Sequence, residues 1–152
     1  MKKIVALINE LEAAVANKDV KNISISKSSI NWHIDHVLIV INGIVSQLKK
    51  SNPTEFKSEF NLKRWIVFTT NFIPRGKANA PKIVHPVSEA TTAQLIEKID
   101  WARKNISEID ALHQNSYYRH PYFKDLNVKH IKKFLTVHTL HHLKIIRAIV
   151  KQ

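Results

Sequence analysis

Three histidines, His138, His141 and His142, lie inside the run FLTVHTLHHLKIIRAIV at residues 134–150. His138 and His142 are four apart, so on a helix they share one face with about 5–6 Å between their Cβ atoms. Two imidazoles so placed can grip one metal ion at Zn–N distances of about 2.0–2.1 Å. Two ligands bind weakly, and a catalytic ion takes a third protein ligand while keeping a position for water or substrate. The stretch NWHIDHVLIV offers His33 and His36, both at the edge of an apolar stripe, and spacing alone does not choose between them. A single histidine on such a stripe is ordinarily a core imidazole hydrogen-bonded to a carbonyl or carboxylate. Two on one seam without a shared partner cost free energy twice, whereas one ion accounts for both. His141 points about 100° away from His142 and reads as a neighbouring or surface residue. The motif HExxH is absent, because Thr139 stands at the glutamate position, so a zincin-type general base is missing. Asp35 is next to His36 but about 100° around the helix.

These residues need helices to present them, and the rest of the chain reads as helical. Residues 3–17 carry Ile4, Leu7, Leu11 and Val15 at helical spacing. Residues 28–49 carry Ile30, Ile34, Val37, Ile41, Ile44 and Leu48, with Ser28 or Ser29 as N-cap. A third long helix runs from about Glu89 to His113 on Leu95, Ile99, Ala102, Ile106 and Ile109, capped by Ser88 or Thr91. The last spans Val128–Val150 behind Asn127, with Val128, Ile131, Leu135, His138, His142, Ile145 and Ile149 facing inward at alternating steps of three and four. LKRWIVFTTNF, within 57–72, is a short helix or a strand. IPRGKANAPKIVHPV and QNSYYRHPYFKDLN are predicted loops. The fold class is therefore all-α, a four-helix bundle with long connecting loops in a single domain over 1–152. The alternative is α+β with a hairpin between 62–70 and 80–87.

Composition sets limits on chemistry and partners. The 152 residues suit one domain, and cysteine is absent, which excludes disulfides, thiolate ligands and a cysteine nucleophile. The N-terminal apolar residues are broken by Asn9, Glu10 and Glu12, so no signal-peptide core forms. No stretch approaches the ~18 apolar residues of a membrane span, so no membrane partner and a cytoplasmic location are expected. The net charge is +12, and half of it lies after residue 120. A basic surface favours anions, but lysine dominates and no basic–aromatic interleaving marks a nucleic-acid platform, so nucleic-acid binding ranks last.

WHIDHVLIVINGI followed by HTLHHLKII resembles the DinB-like superfamily of four-helix-bundle metalloproteins. HPYFKDLNVKHIKKFLTVHTLHHLKII and PRGKANAPK are similar to a small bacterial branch of it. The resemblance covers most of the chain and implies a three-histidine site. The family's second-helix histidine follows a tryptophan by four positions, which selects His36 after Trp32, and its late-helix pair selects His138 and His142. It further implies a divalent ion, zinc or nickel foremost, activating a water or a low-molecular-weight thiol for transfer or hydrolysis. Relatives are described as thiol-dependent S-transferases and a mycothiol-using isomerase. Arg75 and Lys77, with Lys82, are candidates to bind an anionic group of a cofactor or substrate; Tyr117, Tyr118, His113 and His120 are candidates for the pocket mouth. A non-catalytic, stress-related metal-binding protein is the second reading, in which His33 or His113 closes the fourth position. A homodimer paired through a helix face is expected.

Overall fold

The computed structural model describes residues 2–76 and 81–151, with the side chain of Lys82 outside that description. It is mostly helical, with α1 (Lys2–Ala14), α2 (Ile30–Lys50), α3 (Leu62–Thr70), α4 (Thr92–Glu108) and α5 (Val128–Val150), and one antiparallel hairpin of β1 (Tyr117–His120) and β2 (Lys124–Asn127). Among the described residues no helix is long and apolar enough to cross a membrane.

The four long helices α1, α2, α4 and α5 pack around one core. α2 lies against α4 and α5, and α1 lies against the same two, so α1 and α2 sit mainly on one diagonal. Each apolar stripe named above is inward: Ile34, Ile41 and Leu48 of α2, Leu95 and Ile99 of α4, and Leu11 of α1 are sealed from solvent. Burying a side chain of this size contributes about 1.5–3 kcal/mol, and it is this stripe, rather than helix propensity, that holds each helix.

The caps settle where the helices begin. Ser29 caps α2 by accepting the Trp32 N–H at 3.2 Å. Thr91 caps α4 with a full capping box, its hydroxyl accepting from Gln94 N–H while the Gln94 side chain accepts from Thr91 N–H. Asn127 caps α5 by accepting from His130 N–H at 3.1 Å. α1 ends three residues short of the predicted Asn17 in a 3-10 turn, and α4 likewise passes into a 3-10 turn at Ile109–Ala111 before His113.

Residues 62–70 form the short helix rather than the strand that the sequence left open, and Lys82–Val84 is a 3-10 turn, so among the described residues the alternative hairpin between 62–70 and 80–87 is not formed. Asn61 accepts the Arg64 N–H at 2.8 Å, and this local cap outweighs the strand preference of Ile66 and Val67. The tyrosine-rich segment predicted as loop is instead the hairpin, with His120 opposite Lys124. Pro121, Tyr122 and Phe123 make a three-residue connection, and Lys124 takes the left-handed conformation (φ 59°) that such a turn requires.

One polar clamp fixes how α2 and α4 meet. Asn31 is fully buried; its Nδ2 donates to Ala90 O at 2.7 Å and its Oδ1 accepts from Ala90 N–H at 3.0 Å. Asn31→Ala strands two buried main-chain groups. It should lower stability by about 2–6 kcal/mol, since each orphaned group costs about 1–3 kcal/mol. Urea unfolding checks this; a loss below 1 kcal/mol would mean the loop repacks onto other partners.

Candidate metal centre

α2 and α5 are neighbours, and that pairing brings the histidines together. His36 leaves α2 toward α5, and His138 and His142 leave α5 one turn apart. Their ring centroids are 5.2 Å (His36–His138), 4.8 Å (His36–His142) and 4.7 Å (His138–His142) apart. One nitrogen from each ring lies within 4.8 Å of the other two, so the trio can hold a metal ion. A tetrahedral ion with bonds of about 2.0–2.1 Å sets its nitrogens about 3.4 Å apart, a closure within reach of small side-chain rotations.

The hydrogen bonds around the trio test whether these residues fit an ion. His36 Nδ1–H donates to Val84 O at 2.7 Å; a carbonyl can only accept, so Nε2 keeps its lone pair. Metal-binding histidines commonly have such an outer partner on the other ring nitrogen. His142 Nδ1 shares a hydrogen bond with His33 Nδ1 at 3.0 Å, and His33 Nε2 meets Ser26 Oγ at 2.9 Å. His138 Nδ1 is buried without a hydrogen-bond partner. An orphaned imidazole nitrogen beside two oriented ones is a costly arrangement for a core and a natural one for a ligand set. His36 and His142 are 2% and 7% exposed and His138 is partly buried.

Burial sets the protonation of the trio. Desolvation holds His138 and His142 well below the ordinary imidazole value, with the neighbouring imidazoles adding to it. His36 is also lowered, by desolvation and by the charge of His85, against the opposing hydrogen bond to Val84 and charge of Asp35. Neutral imidazole is the form that ligates metal. Trp32 stacks flat on His36, with centroids 4.9 Å apart and planes 8° from parallel, and fixes that ring from the other side.

The trio forms part of the wall of a cavity of about 580 Å³. Much of the remaining wall is apolar, from Ile39, Val40 and Ile44 of α2, Ile73 and Val84 of the middle loop, and Phe134 of α5. Polar wall groups are Gln47, His85, Tyr118, His120, Tyr122 and His141. Among the described residues no carboxylate lines it. Asp35 is buried and turned to α4, where Lys98 Nζ donates to it at 2.5 Å. Gly76, in the left-handed region at φ 69°, forms part of the cavity wall, and this is a position where other residues would be strained.

The other candidates separate cleanly. Tyr118 and His120 line the cavity. Tyr117 faces a second, smaller depression with Arg119 and Lys50, and His113 is exposed, its Nδ1 accepting from Asn115 N–H at 3.2 Å. His113 is thus not beside the trio. His33 is, but through His142 rather than as a fourth member. Arg75 is exposed and outside the cavity lining, with Nη2 3.4 Å from Lys144 O. Lys77 and the Lys82 side chain lie outside the described residues. His141, read as a neighbour or surface group, does line the cavity and stands edge-on to His142 at 5.1 Å.

The sequence offered His33 as a closing fourth ligand and His120 as a residue of the pocket mouth, but not the contacts they make. His33 meets His142 rather than a shared ion position, a contact a helical wheel does not record. His120 is held between Phe123 (4.6 Å, stacked) and Phe134 (4.8 Å, edge-on), and its Nδ1 accepts from Tyr122 N–H at 3.1 Å. Burial lowers it to about 4, so it is neutral near pH 7 with its proton on Nε2. The HPY turn that seats it carries no sequence sign of a cavity.

Comparison with known proteins returns no match to a family model, to a curated protein or to a solved structure.

Proposed function

We propose that this chain is a divalent-metal-dependent enzyme of the DinB-like type, acting on a small molecule in the cavity beside His36, His138 and His142. The observation that carries the reading is the placement of three metal-competent imidazoles in the wall of a roughly 580 Å³ cavity. A structural site is closed by four protein ligands, whereas a catalytic one keeps a position toward its substrate. Here His113 is remote and His33 Nδ1 is engaged by His142, which favours the open form over a non-catalytic staple.

A zinc or nickel ion bound there would supply a water or thiol of lowered pKa as nucleophile at neutral pH for transfer or hydrolysis. The chain's own residues set the rest. His36 and His142 are oriented from behind by Val84 O and His33. The apolar wall of Ile39, Val40, Ile44 and Phe134 excludes water and favours a substrate with a substantial uncharged, apolar portion. His120 brings a neutral imidazole N–H to the same cavity, suited to donate a hydrogen bond to a substrate oxygen or leaving group without carrying charge.

Cobalt substitution tests this. The Co²⁺-loaded protein should change its visible spectrum saturably when a small uncharged thiol such as benzyl mercaptan is added. A spectrum unmoved by thiols, hydroxamates and azide alike would indicate a closed site and remove the enzyme reading. With a responsive site, His120→Ala should leave metal affinity within about threefold while reducing turnover of any substrate found by about 10²–10⁴, the usual range for a lost acid–base group.

A further inference from the structure

We propose that His33 is a positioning residue of this centre, the middle member of a relay Ser26–His33–His142 that fixes which nitrogen of His142 faces the ion. The inference rests on reading His36, His138 and His142 as ligands.

A neutral imidazole has one N–H and one lone pair. His33 and His142 meet Nδ1 to Nδ1 at 3.0 Å, so one donates and the other accepts. Only one of the two orders leaves His142 fit to ligate through Nε2. In that order His142 Nδ1–H donates to His33 Nδ1, and the His33 proton therefore sits on Nε2 and is donated to Ser26 Oγ at 2.9 Å. Ser26 Oγ also accepts from Ser28 N–H at 3.1 Å, so the hydroxyl oxygen receives both hydrogen bonds and ends the relay. In the reverse order Ser26 donates inward, His33 donates from Nδ1, and the His142 proton moves to Nε2, where it occupies the lone pair an ion needs.

The outer partner of His36 is the Val84 carbonyl, which can only accept, so the neutral ring presents its Nε2 lone pair. His142 has an outer partner that can do either, so its readiness depends on His33 and, behind it, on Ser26. The segment that carries Ser26 is pinned for this by Ser26 N–H donating to Asn22 O at 2.9 Å. His33 is 4% exposed, so bulk water does not substitute for it. A leucine would fill the same space between α2 and α5; an imidazole hydrogen-bonded at both nitrogens along one line toward a ligand does more than fill it.

The test compares wild type, His33→Leu and His33→Asn by zinc competition against a chromophoric chelator. Asparagine keeps an acceptor oxygen where His33 Nδ1 stands. His33→Leu should bind zinc about 10–100-fold more weakly, the usual loss for an outer-sphere partner, and His33→Asn should stay within about fivefold of wild type. His33→Leu binding zinc as tightly as wild type would overturn the relay and leave the ligand reading intact. A wild type that binds no zinc would overturn the ligand reading and the relay together. Should His33→Leu fail to fold, long-range ¹H–¹⁵N spectra of the zinc-loaded wild type decide alone. His33 protonated on Nε2 and His142 on Nδ1 supports the relay, and His33 protonated on Nδ1 contradicts it.

Discussion

Replacing His138 with leucine should abolish metal retention and, in chelator, make the protein more stable. The two effects have opposite signs because they come from different atoms of one decision. Loss of one of three ligands is expected to weaken binding about a thousand-fold, equivalent to about 4 kcal/mol. Without metal, His138 Nδ1 is a buried group with no partner, and its ring is desolvated among His36, His142 and Phe134. An unmet buried donor or acceptor costs about 1–3 kcal/mol, and leucine removes it at similar volume. A gain of about 2 kcal/mol corresponds to about 4–8 °C in Tm for a chain of this length. Differential scanning fluorimetry in chelator reads the gain, and the zinc competition reads the loss. A His138→Leu variant destabilised by 2 kcal/mol or more would mark His138 as a structural core imidazole. A site built at the expense of stability is the pattern expected where selection acts on function.

Acid should unfold the metal-free protein between about pH 6.5 and pH 4. His33 and His120 are each lowered to about 4, and His36, His130, His138, His141 and His142 are lowered too, with desolvation the largest cause in each. The sign follows from linkage. An imidazole whose folded pKa lies below its unfolded value of about 6.5 lets the unfolded chain bind more protons in the interval, so stability falls as pH drops through it and levels off below the folded pKa. A shift from about 6.5 to about 4 is worth about 3 kcal/mol, so His33 and His120 together reach about 6–7 kcal/mol, comparable to the whole stability of a domain. The carboxylates held below their ordinary values, such as Asp125 beside Arg119, act at lower pH and do not account for loss above pH 5. Urea midpoints at pH 7.5, 6.0 and 5.0 should fall steeply, and His120→Gln should flatten the slope. Midpoints level from pH 7.5 to 5.0 would show that the imidazoles are solvated.

What could be read from the sequence was whatever a helical period encodes. The stripes on α1, α2, α4 and α5 were visible because a buried face recurs every three or four residues, and so was the α5 pair, because four residues make one turn. The N-cap Asn127 was visible from residue type. Less legible was anything set by contact between distant segments. The hairpin at Tyr117–Asn127 was hidden in a polar, aromatic stretch with no alternation. Helix α3 was ambiguous because its apolar residues mostly stay exposed, Leu62 and Trp65 each at 58%, so no inward stripe is imposed on it. The choice of His36 over His33 rested on resemblance, not on spacing. Both turn out to be buried beside α5, and what separates them is one hydrogen-bond partner each, Val84 O for His36 and His142 Nδ1 for His33, neither of which any period records.

The decisive measurement is zinc binding to the chelator-stripped protein by isothermal titration calorimetry, in wild type and in the His36→Ala/His138→Ala/His142→Ala triple variant. One equivalent per chain in the wild type, with none in a triple variant that still folds, is the result expected of a three-histidine centre. Absence of zinc binding in the wild type, or equal binding in the triple variant, would contradict it.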